Sequence, residues 1–186
     1  MLSVDGLRKK FPIFKSNQEL VYLDSASTTQ KPQVVIDAVN EYYSSYSANV
    51  HRALYEIGDK ATNEYESVRN KVRNFLKVPD THEIIFTSGT TESINLVAYS
   101  WGLNNLNSEK GVLVTEMEHH SNLVPWQIVT EKTSSPLKYI SINRDGTLDL
   151  TNLNSLLENS GIVAVVHQSN VFGTINPIRE IIDAAK

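Results

Sequence analysis

The 186-residue chain contains no cysteine. Residues 1–186 therefore hold no disulfide, no thiolate metal site and no cysteine nucleophile. Basic residues are also outnumbered, since 17 Lys and Arg stand against 21 Asp and Glu and give a formal charge of -4. Because nucleic-acid binding requires a basic patch or stripe, this balance argues against a nucleic-acid partner.

Long apolar runs and linkers are absent as well. No apolar run approaches the ~20 residues that cross a bilayer, and the start of the chain lacks the positive-then-apolar order of a secretory signal. We therefore expect no membrane association and a soluble, cytoplasmic protein. The chain has no internal repeat and no linker rich in Pro, Gly or Ser, so nothing marks an interior domain boundary.

Residues 1–82 combine an arm with helices. Charged and aromatic residues alternate irregularly over 1–20, which predicts an N-terminal arm. A short strand is predicted at 20–24, and apolar residues at helical spacing predict helices over 33–46 and 59–77. The domain prediction is an arm at 1–20 and one main domain at 21–186.

After Pro79 the pattern alternates between strand and helix. Strands are predicted at 83–87, 111–115, 137–142 and 162–167, and helices at 91–103, 122–132, 153–158 and 177–186. Such alternation predicts an α/β fold, here a three-layer αβα sandwich with a mainly parallel sheet. Ligands of these sheets bind beyond the carboxyl ends of the strands.

The sequence FTSGTTE at 86–92 turns through Gly89 into a predicted helix. The first N–H groups of a helix lack intrahelical partners, and together with the helix dipole they attract anions. Thr90 and Thr91 add hydroxyl donors at this point, so both are candidate phosphate ligands. The alternative is an ordinary helix cap, in which Thr90 or Ser88 satisfies the first turn and Glu92 complements the dipole.

His119 follows the predicted strand at 111–115. An imidazole there can stack on a flat aromatic ring and exchange protons near neutral pH. A metal site is not expected, because His119 and His120 are adjacent and neither has the i,i+4 partner that places two ligands on one helical face. The alternative is a histidine that caps a loop or a helix.

Two further candidates lie in loops. Asn170 follows the apolar strand at 162–167, and its amide could donate to an oxygen on a bound ring. Its alternative role is an Asx-turn that shapes the loop. His51 lies in the early segment NVHR at 49–52, where it and Arg52 could equally be surface loop residues.

Taken together, these segments resemble the cysteine desulfurases of the selenocysteine-lyase-like branch, within the fold-type I pyridoxal-phosphate (PLP) enzymes. The matching segments run in family order at 22–32, 49–52, 86–96, 117–126, 145–148 and 169–177. The resemblance implies PLP as the cofactor, with Thr90 and Thr91 on its phosphate. It also implies that His119 stacks on the pyridine ring and assists proton transfer, that Asn170 contacts the ring hydroxyl, and that His51 lies near the substrate.

The resemblance implies conversion of L-cysteine to L-alanine and an enzyme-bound persulfide for iron-sulfur cluster assembly. It implies a homodimer and a sulfur-acceptor or scaffold partner. Members of the family carry a Schiff-base lysine in a Ser-x-His-Lys segment, an aspartate at the pyridinium nitrogen and a loop cysteine, and residues 1–186 contain none of these segments. We therefore expect an incomplete large domain of a fold-type I enzyme that is inactive alone and stable only when its open faces are covered.

Three alternatives to a cysteine desulfurase stay open at this point. A selenocysteine lyase or another β-eliminating PLP enzyme shares every motif visible here. A non-catalytic fragment or pseudoenzyme acting as a binding module fits the absence of the lysine segment. A generic phosphate-ligand binder without PLP would use only the turn at Gly89.

Overall fold

The computed structural model describes residues 3–186. The chain forms two compact units, one ending at Ile85 and one comprising Phe86–Lys186. The predicted division into an arm at 1–20 and a domain at 21–186 stays a prediction. All of the β-structure described belongs to the second unit.

The first unit is helical. Its helices are α1 (Val4–Arg8), α2 (Ile13–Ser16), α3 (Gln33–Glu41), which continues in a π-helical turn (Tyr42–Tyr46), and α4 (Glu56–Leu76). The predicted helices at 33–46 and 59–77 are confirmed, with α4 beginning three residues earlier. Pro32 precedes α3 in an extended conformation, as its fixed φ and missing N–H favour at a helix start.

The predicted strands at 20–24 and 83–87 are wrong, since neither segment is a strand of the described residues. In each segment one backbone carbonyl accepts a hydrogen bond from an arginine side chain and not from a neighbouring strand. The guanidinium of Arg8 donates to the carbonyl of Leu20 at 3.2 and 3.3 Å, and Arg69 Nη1 donates to the carbonyl of Ile84 at 2.5 Å. An alternating pattern predicts an extended backbone, but it does not reveal which donor that backbone meets.

The second unit alternates as predicted. Its elements are α5 (Thr90–Val97), a π-helical turn (Ala98–Gly102), α6 (Leu103–Asn105), β1 (Gly111–Thr115), a 3-10 turn (His120–Asn122), α7 (Val124–Thr133), β2 (Leu137–Ile140), α8 (Leu153–Leu157), β3 (Ser160–Ala164) and α9 (Ile178–Ala184). The helices and the last three strands predicted for this region are confirmed. β3 begins and ends earlier than predicted, so the apolar residues at 165 and 166 already lie beyond the strand.

The three strands form one parallel sheet in the order β2-β1-β3. Val114 of β1 pairs with Tyr139 of β2 on one side and with Ala164 of β3 on the other. β1 is therefore the central strand, and all five of its residues are buried. Parallel pairing brings the carboxyl ends of the strands to one edge, so the segments after Thr115 and Ala164 emerge side by side.

Alternate residues of β1 pack on opposite faces of the sheet. Val112 and Val114 belong to one buried cluster with Trp126 and Val129 of α7, whereas Leu113 belongs to a second cluster, which includes Leu153 of α8 and Ile181 of α9. This alternation is the period of two that a strand imposes on its side chains. Helices cover both faces, and the predicted αβα layers and α/β class are confirmed.

Candidate functional site

The turn at Gly89 opens α5 without a side-chain cap. Thr90 and Thr91 are its first two residues, and both are exposed. Thr87 stabilises the turn, because its hydroxyl donates to the carbonyl of Gly89 at 3.0 Å and lies 2.7 Å from Ser93 Oγ. A Cβ placed on Gly89 would have no atom within 4 Å, so open space lies beside the turn.

Glu92 reaches back over the same turn. Its Oε2 accepts a hydrogen bond of 2.5 Å from the backbone N–H of Ser88. Hydrogen bonds from Ser88, from its side chain first and then from its backbone N–H, hold the pKa of Glu92 below its ordinary value. Glu92 therefore bonds to the residue before the N-cap Gly89, and the helix cap by Ser88 or Thr90 that the sequence offered as the alternative is not formed. The two threonine hydroxyls lie at the exposed surface.

His119 lies four residues beyond the end of β1 and is exposed. Its Nδ1 accepts a hydrogen bond from the backbone N–H of Ser121 at 3.1 Å and lies 2.8 Å from Ser121 Oγ. The ring thus caps the short turn at 120–122, as the alternative for this residue proposed. Because Nδ1 is an acceptor, the neutral ring carries its proton on Nε2.

Glu118 is a residue of this edge to which the sequence analysis gave no role. Its Oε1 accepts hydrogen bonds of 2.7 Å from the Thr115 hydroxyl and 2.7 Å from the backbone N–H of Val166. Its Oε2 accepts from Asn122 Nδ2 at 2.7 Å. A carboxylate three residues beyond a buried strand was the available signal, but its partner at Val166 is 48 residues away, beyond the reach of local patterns.

Asn170 lies in the loop at 167–176, which follows β3. Gln168 and Ile175 form an antiparallel bridge across this loop. The buried Ser169 shapes its tip, because its Oγ accepts from the backbone N–H groups of Val171 at 3.3 Å and Phe172 at 3.2 Å. The loop-shaping bonds thus come from Ser169, while Asn170 is exposed at the tip.

These three segments meet within the second unit. α5 contacts the turn His120–Asn122, which directly follows His119. Glu118, the residue before His119, is bonded to Val166, which leads into the loop of Asn170. The helix opening and the two strand ends are therefore linked through residues 118–122.

The site is an exposed edge rather than an enclosed hollow. A cavity of about 770 Å³ in this unit is lined by β3, α8 and α9, including Val163 and Ile181, and by none of Thr90, Thr91, His119 or Asn170.

Within residues 3–186, no group of three or more His, Cys, Asp or Glu side chains could hold a metal ion. None of the helices described in this range has the length and apolar character that crossing a membrane requires.

His51 belongs to the first unit. It adopts a left-handed backbone conformation with φ 70, which His tolerates better than most residues. Its N–H donates to Thr62 Oγ1 at 3.0 Å, its Nε2 lies 3.3 Å from Glu66 Oε1, and its ring meets Tyr65 edge-on at 5.6 Å between centroids. In this unit His51 is thus held by three residues of α4.

Comparisons with known proteins give one family model and several relatives that match this chain. Residues 21–186 match the family model described as Aminotransferase class-V. A probable cysteine desulfurase of Halalkalibacterium halodurans is 46% identical over 188 residues, which cover 99% of this chain and 46% of that protein. A cysteine desulfurase of Haloferax volcanii is 39% identical over 201 residues, covering 99% of this chain and 47% of that protein. The chain thus spans about half the length of the curated relatives it matches.

Solved structures give the same result. The apo structure of a cysteine desulfurase from Thermococcus onnurineus NA1 has a TM-score of 0.91 and 36% identity, and the match covers 100% of this chain and 45% of that one. A cysteine desulfurase of Escherichia coli has a TM-score of 0.85 and 35% identity, covering 98% of this chain and 46% of that one. The fold of this chain is therefore similar to part of each enzyme.

Proposed function

Because the chain belongs to the class-V aminotransferase family, we propose that it is the amino-terminal part of a PLP-dependent cysteine desulfurase. Such an enzyme converts L-cysteine to L-alanine and keeps the sulfur as a persulfide on one of its own cysteines. The observation that carries the proposal is identity of 46% to a probable cysteine desulfurase along 99% of the chain. The activity is proposed for the whole protein, because the match covers only 46% of that relative.

The opening of α5 fits the phosphate group of PLP. Open space lies beside Gly89, no side chain caps the helix, and the hydroxyls of Thr90 and Thr91 lie at the exposed surface. We assign the phosphate oxygens to the first N–H groups of α5 and to these two hydroxyls. The helix dipole adds about 0.3–1 kcal/mol for an anion at such an end.

His119 and Asn170 fit the aromatic ring of the cofactor. We assign the exposed His119 imidazole to stacking on the pyridine ring, with Nδ1 fixed by Ser121 and Nε2 holding the transferable proton. The amide of Asn170 would donate to the ring hydroxyl. PLP, when bound, supplies an electron sink for charge developing at Cα of the amino acid, while these side chains bind and orient it.

Further elements of the proposal concern the whole protein. We place His51 on the substrate side, a role that rests on the resemblance of residues 49–52. We also propose a homodimer that acts on L-cysteine in the cytoplasm. It would deliver sulfur to an acceptor or scaffold protein of iron-sulfur cluster assembly.

A chimera tests the proposal. Residues 1–186 would be fused to the part of the Halalkalibacterium halodurans relative that lies beyond the aligned region, and L-alanine and sulfide would be measured with L-cysteine and a reductant. We expect PLP-dependent release of both products. Release of selenide from L-selenocysteine with no activity on L-cysteine would indicate a selenocysteine lyase, and a folded chimera inactive on both would contradict the proposal.

Variants of the chimera test the phosphate assignment. T90V/T91V removes both hydroxyls but keeps the shape and the backbone N–H groups, and we expect the affinity for PLP to fall about tenfold or more, since each lost bond costs ~1 kcal/mol. T90S/T91S keeps the hydroxyls and is the matched control, with affinity near that of the parent chimera. Equal affinity in all three proteins would exclude the two hydroxyls as phosphate ligands.

A further inference from the structure

The Glu118 carboxylate joins three parts of the second unit. Its three donors are the Thr115 hydroxyl at the end of β1, the N–H of Val166 beyond β3, and the Asn122 amide in the turn after His119. All three distances are 2.7 Å. Hydrogen bonds to an ionised acceptor are about twice as strong as neutral ones, so this half-buried carboxylate is a strong tie between segments of irregular structure.

The same bonds enclose His119. Glu118 precedes it and Asn122 follows it, and the two side chains bond to each other across the intervening residues. The backbone N–H of Asn122 also donates to the carbonyl of His119 at 2.8 Å. Asn122 Oδ1 in turn accepts from Trp126 Nε1 at 3.1 Å, and Trp126 is only 2% exposed. The segment 118–122, which the bond between Glu118 and Asn122 closes, is therefore anchored to Trp126, a buried residue of α7.

The far end of the tie is equally well fixed. Val166 donates its N–H to Glu118 and accepts with its carbonyl from Asn176 Nδ2 at 2.7 Å. Asn176 is 3% exposed and closes the loop at 167–176, because its own N–H donates to the carbonyl of His167 at 2.8 Å. One carboxylate thus links the segment of His119 to the base of the loop that carries Asn170.

We propose that Glu118 is a positioning residue, which sets His119 against the loop at 167–176 so that the imidazole and the Asn170 amide can hold one ring. This inference rests on the proposed function for its ligand. It does not make Glu118 a catalytic residue, since its carboxylate is occupied by three protein donors. A carboxylate is required at this position because three donors converge on it and an ionised carboxylate offers only acceptors.

Glutamine at this position tests the requirement without changing the size of the side chain. In E118Q the carboxamide oxygen can keep Thr115 and Val166, but its NH₂ group then faces the NH₂ group of Asn122. Rotating the Asn122 amide to present its oxygen would take that oxygen from Trp126. At least one hydrogen bond is lost in either arrangement, so the segment 118–122 around His119 becomes less rigid.

The double variant E118Q/N122D restores every bond by exchanging donor and acceptor. The introduced glutamine amide then donates to one oxygen of the introduced aspartate, whose second oxygen still accepts from Trp126, and the formal charge of this pair stays the same. E131Q, which removes one exposed carboxylate from α7, is the matched control for charge. Restoration by the double variant separates loss of these bonds from general loss of charge.

Two measurements on the 186-residue chain decide the structural step. We expect amide hydrogen exchange at Val166 to become about tenfold faster in E118Q, which corresponds to about 1.4 kcal/mol of lost protection. We expect the His119 ring resonances to shift in the same variant. Both should return to the parent values in E118Q/N122D and stay unchanged in E131Q. Parent-like exchange and resonances in E118Q, or no recovery in the double variant, would overturn the inference.

Ligand binding separates positioning from simple stability. The probes are 4-deoxypyridoxine 5-phosphate, which has the ring and phosphate but no aldehyde, and inorganic phosphate. We expect E118Q to bind the ring compound about tenfold more weakly with phosphate affinity unchanged, a loss of about 1.4 kcal/mol. A parallel fall for both probes would contradict positioning. If the parent chain binds neither probe, the assignment of the ring and the phosphate to residues 1–186 fails, and the exchange and resonance measurements alone decide the role of Glu118.

Discussion

The Thr174 hydroxyl donates a hydrogen bond of 2.8 Å to the backbone carbonyl of Gly146, 28 residues earlier in the chain. Thr174 belongs to the loop that carries Asn170, and Gly146 forms the turn after β2 with φ 81. A Cβ at Gly146 would lie 3.5 Å from the Phe172 ring and 3.6 Å from Thr174 Oγ1. The loop therefore packs on this turn as well as on the segment after β1, where Asn176 Nδ2 lies 3.3 Å from Met117 Sδ.

Replacing Thr174 tests this second attachment. T174V keeps the shape but removes the donor, and we expect the second unit to lose about 1 kcal/mol of stability, the usual net value of one such bond. Urea unfolding followed by tryptophan fluorescence measures it, because Trp101 and Trp126, the two tryptophans of the chain, both lie in this unit. T174S keeps the hydroxyl and should unfold near the parent midpoint. Identical midpoints for all three proteins would contradict the attachment.

Much of the second unit was predictable because its signals are local. The alternation of elements from 91 onward, the buried strand at 111–115 and the candidate residues at the strand ends all follow from spacing along the chain. At 20–24 and 83–87 the described residues form no strand, and one carbonyl in each segment accepts from a donor 12 or 15 residues away, on Arg8 or Arg69. A period of two indicates an extended backbone and cannot show that its carbonyl will meet a guanidinium.

The candidate residues could be named from the sequence, but the hydrogen bonds that hold their segments together could not. His119, Thr90, Thr91 and Asn170 could be named as candidates because side chains that bind ligands often follow strands and open helices. That they bind a ligand stays a prediction. Glu118 was not found, because its importance depends on Val166 arriving from a strand that is adjacent in space but 48 residues later. Register between parallel strands is a tertiary property, so a residue that ties two strand ends together shows its role only in the fold.

The tautomer of His119 is open to direct measurement. Since Nδ1 accepts from the Ser121 N–H at 3.1 Å, we expect the neutral ring to carry its proton on Nε2. Nitrogen-15 NMR of the neutral ring should show a pyridine-like Nδ1 and a pyrrole-like Nε2. S121A removes the hydroxyl 2.8 Å from Nδ1 but keeps the backbone donor, so the tautomer should persist. A protonated Nδ1 in the parent chain would contradict the observed acceptor geometry.

The turn before α5 should weaken in acid. Hydrogen bonds from Ser88 lower the pKa of Glu92 in the folded state, so the unfolded state binds the proton more readily. The stabilisation is therefore present above the ordinary pKa of a glutamate and is lost as pH falls through the lowered, folded value. An NMR titration of the Glu92 carboxyl carbon should give a midpoint below that of an unstructured glutamate.

The E92Q variant isolates this contribution. It keeps an oxygen that can accept from the Ser88 N–H at the turn but has no proton to gain over this range. Amide exchange at Ser88 should accelerate in acid in the parent chain and stay flat with pH in E92Q, after correction for intrinsic exchange. The same acid dependence in both proteins would show that another group controls the turn.

The 186-residue chain should bind PLP without reacting covalently at a dedicated lysine. It contains no cysteine and no Ser-x-His-Lys segment, so neither the persulfide acceptor nor the cofactor-linking lysine of the resembling enzymes is present in it. Added PLP should bind at the first turn of α5. Reduction with borohydride should nevertheless leave no stoichiometric label on any one lysine in a peptide map. L-cysteine should yield no L-alanine above the rate of free PLP. The chimera with the longer relative supplies the positive control, and turnover by the purified 186-residue chain above that rate would show that its own residues suffice for the chemistry.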